Sequence, residues 1–306
     1  MMPSASAASI PCPTQRAIQS ALWYFEIFRY PLTADELYGY ANCPGALPAE
    51  FTEELEKLIE KGLVFTFDGF YQAQDDPTWA PRRRDLNLRA EAFLPVARRM
   101  SRLIGAFPFI RAVFVSGSLS KHSMPPDGDI DYFMITEPGR LWLARTLLVF
   151  FKKLFLFNSH KYFCVNYFID TEHLEIEEKN LFTATETVTL LPLYGREWYD
   201  RFCAANSWTK AYLPNVAMRP SHNTPLHQRG WLKSGAEWLL RGSLGAWLDT
   251  KAMDITVAYW RRKFRHFDDQ TFDNALKSRR YVSKHHPLYF QKKVLAAYSE
   301  RQGQGQ

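Results

Sequence analysis

The sequence has few cysteines and no long uncharged apolar run, and both absences restrict what the protein can be. Its four cysteines are widely spaced, at positions 12, 43, 164 and 203. Such spacing predicts neither a zinc knuckle nor a disulfide framework. The most apolar stretch, 141–157, contains Arg145, Lys152 and Lys153, so it is too short and too charged for a membrane span. The first residues lack the basic start and apolar run of a secretory signal. We therefore expect a cytoplasmic protein with no membrane partner.

Three further patterns are missing: a Ser-His-Asp spacing, a P-loop and a dinucleotide-binding fingerprint. The chain has 306 residues, which is enough for two or three compact units. Its net charge of +6 is concentrated after Ser221, in runs such as RRKFRHF and KSRRYVSKHH. This bias suits phosphate-bearing partners, although a solvated basic surface would give the same pattern.

The N-terminal part has the pattern of a small helical domain. Helical spacing and start signals predict helices over 14–28, 33–40 and 48–61, and Asp68-Gly69 predicts a hairpin. Three helices followed by a hairpin are typical of a winged helix. The third helix carries five Glu against two Lys, so its charge would repel duplex DNA. We expect this region to contact a protein partner or to form a homodimer.

The middle of the chain alternates between strand and helix patterns, which predicts a small α/β layer. Predominantly helical patterns follow, with helices predicted over 226–241, 244–265, 270–281 and 287–301. Within them, the spacing of Trp231, Trp238 and Trp247 is that of core residues. The predicted organisation is a disordered N-terminus over 1–13, a winged-helix-like domain over 14–76, a core over 85–200, a helical C-terminal domain over 201–301 and a disordered tail over 302–306.

One segment, VFVSGSLSKHSMPPDGDIDYFMIT, has the pattern of a phosphate and metal site. A Gly-Ser pair follows an apolar strand, and after ten residues Asp-Ile-Asp begins another strand. Asp129 and Asp131 then share a strand face with Cα atoms about 7 Å apart. Two such carboxylates repel each other unless a cation lies between them, and oxygen ligands suit Mg²⁺ or Mn²⁺. Gly117 would let backbone approach a phosphate, to which the Ser118 hydroxyl could donate. Lys121 either reaches the same oxygens or faces solvent.

This segment resembles the DNA polymerase beta superfamily of nucleotidyltransferases, and the resemblance covers residues 112–170. It implies an α+β fold with a small mixed sheet, a metal-binding core and a nucleoside triphosphate donor such as ATP. The implied reaction transfers a nucleoside monophosphate to a hydroxyl and releases pyrophosphate. Members act on small molecules, RNA ends and proteins, so the acceptor stays open. The head, core and tail together also resemble bacterial proteins that contain a nucleotidyltransferase domain, and this second resemblance gives no substrate.

The resemblance also implies a third carboxylate from a neighbouring strand, which helps to activate the acceptor hydroxyl. A period of two along 161–170 places Cys164, Asn166, Phe168 and Asp170 on one face. We therefore predict Asp170 as the third catalytic residue, beside Asp129 and Asp131, and Asn166 as a nucleotide-binding residue. If Asn166 instead occupies the position of the carboxylate, the site lacks its usual base. The alternative function is then a nucleotide-binding regulatory or interaction protein with weak or no catalysis.

Overall fold

The computed structural model describes residues 12–157, 161–228, 230–286 and 290–304. The described residues form two compact units. One unit takes its residues from Met1–Arg83, Lys210–Val216 and Val294–Gln306, and the other from Arg84–Thr209 and Ala217–Lys293. The domain boundaries drawn from the sequence stay predictions.

The first unit contains the three predicted helices and the predicted hairpin. Its elements up to residue 72 are α1 (Pro13–Glu26), α2 (Ala34–Tyr40), α3 (Pro48–Glu60), β1 (Phe65–Phe67) and β2 (Phe70–Gln72). Thr33 and Glu36 form a capping box that fixes the start of α2. Asp68 and Gly69 both have positive φ, which suits the tight turn between β1 and β2. These local predictions are confirmed, and the role of the unit as a winged helix stays a prediction.

The second unit is built around a mixed sheet with helices. The elements from residue 79 onward are α4 (Trp79–Gly105), β3 (Ile110–Ser116), α5 (Gly117–Ser120), β4 (Asp131–Thr136), α6 (Leu141–Phe155), β5 (Cys164–Asp170), α7 (Leu181–Thr189), β6 (Leu191–Tyr194), α8 (Arg196–Ala205), α9 (Trp231–Leu239), α10 (Ser243–Lys263), α11 (Asp269–Ala275), β7 (Ser278–Arg279), β8 (Val282–Lys284) and α12 (Phe290–Gln304). Helices α4 and α12 each cross the division between the units. Across the described residues, none of the helices combines the length and the apolar character that a membrane span requires.

The sheet has the strand order β6-β3-β4-β5-β8-β7. Strands β4 and β5 are parallel, and the other neighbouring pairs are antiparallel. A parallel pair needs a crossover connection, which α6 provides by returning the chain to the end where β4 began. Apolar side chains cover both faces, with Val113 and Met134 in one cluster and Phe114 and Phe133 in the other. The expected α+β class is therefore confirmed.

One predicted helix, over 270–281, is wrong in its second half. Helix α11 ends at Ala275, and the chain then forms β7 and β8. Strand β8 pairs with β5, with Val282 opposite Ile169, and its residues are buried. Long-range strand pairing therefore determines the conformation of a segment whose local pattern resembles a helix.

Candidate metal centre

Two carboxylates and a thiol converge at one end of the central strands. Asp131 begins β4 and lies between Ser116, the last residue of β3, and Cys164, the first residue of β5. Asp129 precedes it by two residues in the loop. One ligand atom from each of Asp129, Asp131 and Cys164 lies within 4.8 Å of the other two. The three side chains form a group that could hold a metal ion.

Gly117 lies directly against this group. It has a φ of +68°, and a Cβ on it would lie 2.6 Å from Oδ2 of Asp131. Glycine is therefore required both for the backbone conformation and for the close approach. Ser118 follows it and is exposed. Lys121, one turn on, donates from Nζ to Oε1 of Glu186 at 2.7 Å and to the carbonyl of Gly117 at 3.1 Å.

The electrostatics of the group favour a cation. Burial raises the pKa of Asp131 to about 7, with further contributions from the charges of Asp129 and Glu186. Hydrogen bonds with Cys164 and Asn166 oppose this rise in pKa. Burial, followed by the nearby charges of Asp131 and Asp129, also raises the pKa of the Cys164 thiol. Near neutral pH a cation would therefore compete with a proton for the Asp131 carboxylate.

Asn166 occupies a bulge beside Asp131. The register of β4 and β5 shifts here, because Tyr132 lies opposite Val165 while Phe133 lies opposite Tyr167. Asn166 is thus the extra residue on β5. Its Nδ2 donates to Oδ1 of Asp131 at 2.8 Å. An amide that donates to Asp131 therefore lies next to the carboxylate pair.

Asp170 lies far from this group, so its prediction as a third catalytic residue is wrong. It pairs with Thr136, whereas Asp131 pairs with Cys164. Five residue steps along β4 separate the two ends by roughly 16 Å. The bulge also shifts the alternation, so that Cys164 and Asp170 do not share a face as predicted. The Asp170 carboxylate accepts hydrogen bonds from the backbone N–H of Glu172 at 3.0 Å and of His173 at 2.9 Å.

Sequence reasoning missed two buried cations on α6. Arg145 and Lys152 are seven residues apart, so they lie on the same side of the helix, and each is nine-tenths or more buried. The Arg145 guanidinium lies 4.7 Å from the ring centroid of Trp260 and 5.8 Å from that of Trp142. Within the described parts of the chain, neither cation has a hydrogen bond or an ion pair. Their spacing in a mostly apolar helix was the sequence signal that could have indicated their burial.

Lys152 lies toward the metal-centre end of the sheet. It is near the C-terminus of α6, where Phe151 contacts Phe163, the residue before Cys164, with ring centroids 6.1 Å apart. Burial lowers the pKa of Lys152, and the charges of Cys164 and Asp129 act in the opposite direction. Lys152 is largely buried and has no anionic partner within the described residues, so this position favours an anionic ligand.

The centre can therefore bind a cation directly, with positive charge close by for an anion. Comparisons of the chain with models of protein families, with curated proteins and with solved structures gave no match. The chemistry available to the site depends on the side chains that it contains. They combine a carboxylate pair, a thiol, a donating amide and a glycine that leaves space for a close approach.

Proposed function

We propose that the protein is a metal-dependent nucleotidyltransferase of the DNA polymerase beta type. It would transfer a nucleoside monophosphate from a nucleoside triphosphate, such as ATP, to a hydroxyl group of a small molecule, an RNA or a protein. The observation that carries this proposal is the packing of Gly117 against Asp131, with Asp129 in the same ligand group. This contact joins the Gly-Ser motif and the Asp-x-Asp motif at one end of the sheet.

The donor set fits a divalent cation. Carboxylate oxygens of Asp129 and Asp131 suit Mg²⁺ or Mn²⁺, and burial together with the charge of Asp129 raises the pKa of Asp131, as expected for a carboxylate pair without a compensating cation. When bound, the ion would neutralise charge on the triphosphate and help to orient the attacking hydroxyl. Cys164 is the third side chain of the group, and its raised pKa keeps it a protonated thiol, so the two carboxylates would be the ligands of such a hard ion.

The remaining residues would bind and orient the donor. The Gly117 backbone and the Ser118 hydroxyl would contact phosphate oxygens, and Lys121 is positioned one turn further by its ion pair with Glu186. Asn166 would hold the Asp131 carboxylate in place through its hydrogen bond. Lys152 supplies buried positive charge on the same end of the sheet.

A second candidate function is nucleotide binding with weak or no catalysis, in a regulatory or interaction protein. Asn166 favours it, because its amide donates to Asp131 and cannot accept a proton from an attacking hydroxyl. The metal-ligand group contains a thiol, Cys164, as its third member, rather than a third carboxylate.

Thermal unfolding with each nucleoside triphosphate, with and without Mg²⁺ or Mn²⁺, tests both proposals. A nucleotide at a hundred times its dissociation constant should stabilise the wild type by about 2.7 kcal/mol, and only with metal. Asp129→Asn/Asp131→Asn should abolish this effect, and Asp170→Asn should retain it as the matched control. If no nucleotide stabilises the wild type, both proposals are wrong.

Transfer of label from an α-phosphate-labelled nucleotide to components of a cell extract then separates the two functions. Labelling by the wild type, but not by Asp129→Asn/Asp131→Asn, supports the enzyme. Metal-dependent stabilisation without any transfer supports the binding protein.

A further inference from the structure

Helix α9 has its polar side inward and its apolar side outward. Lys233 and Glu237 are buried, with exposed fractions of 3% and 4%. Four large apolar side chains of the same helix are exposed: Trp231 at 82%, Leu232 at 67%, Trp238 at 76% and Leu239 at 65%. The sequence-based expectation that these tryptophans belong to the core is therefore wrong.

Hydrogen bonds to the sheet and the end of α4 fix this orientation. Lys233 donates from Nζ to the carbonyls of Gly105 at 2.7 Å and Ile110 at 2.6 Å. Glu237 accepts from the backbone N–H of Phe109 at 2.7 Å and from Nη1 of Arg111 at 2.8 Å. Turning the helix to bury its indoles would break these bonds and leave buried polar groups unpaired. The outward position of the apolar residues is therefore built into the fold.

The next helix continues the pattern. Helix α10 begins at Ser243, and its first turns expose Leu244 at 54% and Trp247 at 57%. These two residues and the four of α9 together define the apolar outer face. Monomeric proteins rarely expose so many large apolar side chains in one short segment without an interaction partner.

The charge of the surrounding segment identifies the kind of partner. Residues 231–269 expose six Lys or Arg side chains against three carboxylates, Asp254, Asp268 and Asp269. Two of the cations are ion-paired, Lys251 with Asp254 and Arg261 with Asp269, and the other four have no ion pair within the described residues. This excess of positive charge is complementary to an anionic surface. A second copy of the chain would bring like charges together across a two-fold interface.

We propose that the apolar outer face docks the protein on an anionic lipid surface. Trp and Leu side chains would enter the headgroup region, where indole rings are favoured, and the exposed cations would contact anionic headgroups. The protein would lie on the bilayer without crossing it. This proposal departs from the sequence-based expectation of no membrane partner, and it is independent of the metal centre.

Co-sedimentation of the full chain with vesicles tests the proposal. The vesicles are phosphatidylcholine alone or phosphatidylcholine mixed with phosphatidylserine. The wild type should bind the mixed vesicles at least about tenfold more tightly, with the difference reduced by salt. Trp238→Ser/Leu239→Ser should weaken this binding by about tenfold or more, because the variant lacks two apolar side chains that the bilayer would bury.

Leu88→Ser is the matched control, because Leu88 on α4 is exposed at 64%, almost the same fraction as Leu239. Both variants should unfold at the wild-type temperature, and only the double variant should lose vesicle binding. Asp131→Asn should bind vesicles like the wild type, which separates this proposal from the proposed function. Absence of binding to mixed vesicles, or equal loss in the control, would overturn the proposal. Concentration-dependent dimerisation lost in the double variant, without vesicle binding, would also overturn it.

Discussion

The two ends of strand β5 both carry a carboxylate close by, and they differ in what surrounds it. Asp131, opposite the first residue of β5, lies near Asp129 and Cys164, and its pKa is raised to about 7. Asp170, the last residue of β5, accepts hydrogen bonds from two backbone N–H groups and contacts the ring of His173. Burial alone therefore does not distinguish the two carboxylates. They differ in the second carboxylate, Asp129, that lies beside Asp131, and in the two backbone N–H groups that donate to Asp170.

The largest expected difference between the two ends is in metal affinity. Asp131→Asn should lower the affinity for Mn²⁺ by at least about a hundredfold, because a ligand is lost, whereas changes outside the ligand set cost less. Asp170→Asn should change it by less than about threefold. Titration calorimetry of the two variants measures both values. Equal affinities in the two variants would remove the distinction between the ends.

For the free energy of unfolding in the presence of a chelator, the order of the two positions should reverse, with the larger effect at Asp170. Asp170→Ala should lower the free energy of unfolding by about 2 kcal/mol, because the backbone N–H groups of Glu172 and His173 lose a charged acceptor. Asp131→Asn should raise it slightly, because a buried negative charge next to Asp129 is removed. Urea unfolding at about pH 8 measures both changes. A greater loss in Asp131→Asn than in Asp170→Ala would contradict this assignment.

The metal affinity and the stability of the protein should both depend on pH through Asp131. Since Asp131 keeps a proton up to about pH 7, metal affinity should fall about tenfold per pH unit below that value. An unfolded Asp ionises near pH 4, so between about pH 4 and 7 only the unfolded state has lost this proton. The contribution of Asp131 to metal-free stability should therefore decrease as pH rises through this window. Calorimetric titrations and urea unfolding across the range, with Asp131→Asn as the reference, check both signs.

The sequence predicted those features whose causes are local. The alternation of strand and helix patterns and the Asp68-Gly69 turn depend on side-chain period and on backbone conformations that glycine permits. The period of two also predicted that Asp129 and Asp131 share a face of one strand. Their ligand atoms do lie together, but Asp129 lies in the loop before β4 and not in the strand.

Features that depend on distant residues were not predictable in the same way. A single bulge residue, Asn166, reverses the alternation along β5, so that Asp170 and Cys164 lie on opposite faces. The outward side of α9 is determined by Lys233 bonding to Gly105, more than a hundred residues away in sequence. Strand β8 forms because β5 offers an edge. Hydrophobic period alone carries no information about such partners.

The smallest expected effect concerns Asn166, the residue that separates catalysis from simple binding. Asn166→Asp replaces a donor to Asp131 with a third carboxylate, which should tighten Mn²⁺ binding severalfold. The added charge should also raise the pKa of Asp131 further, so the gain is best measured by calorimetry above about pH 8. Asn166→Ala, which only removes the hydrogen bond, serves as the control and should bind Mn²⁺ slightly less tightly than the wild type.

If Asn166→Asp gains metal affinity and nucleotidyl transfer together, the amide is what limits catalysis in the wild type. If Asn166→Asp and Asn166→Ala both bind Mn²⁺ much more weakly than the wild type, the centre requires the amide, and Asp129 and Asp131 are its two carboxylates.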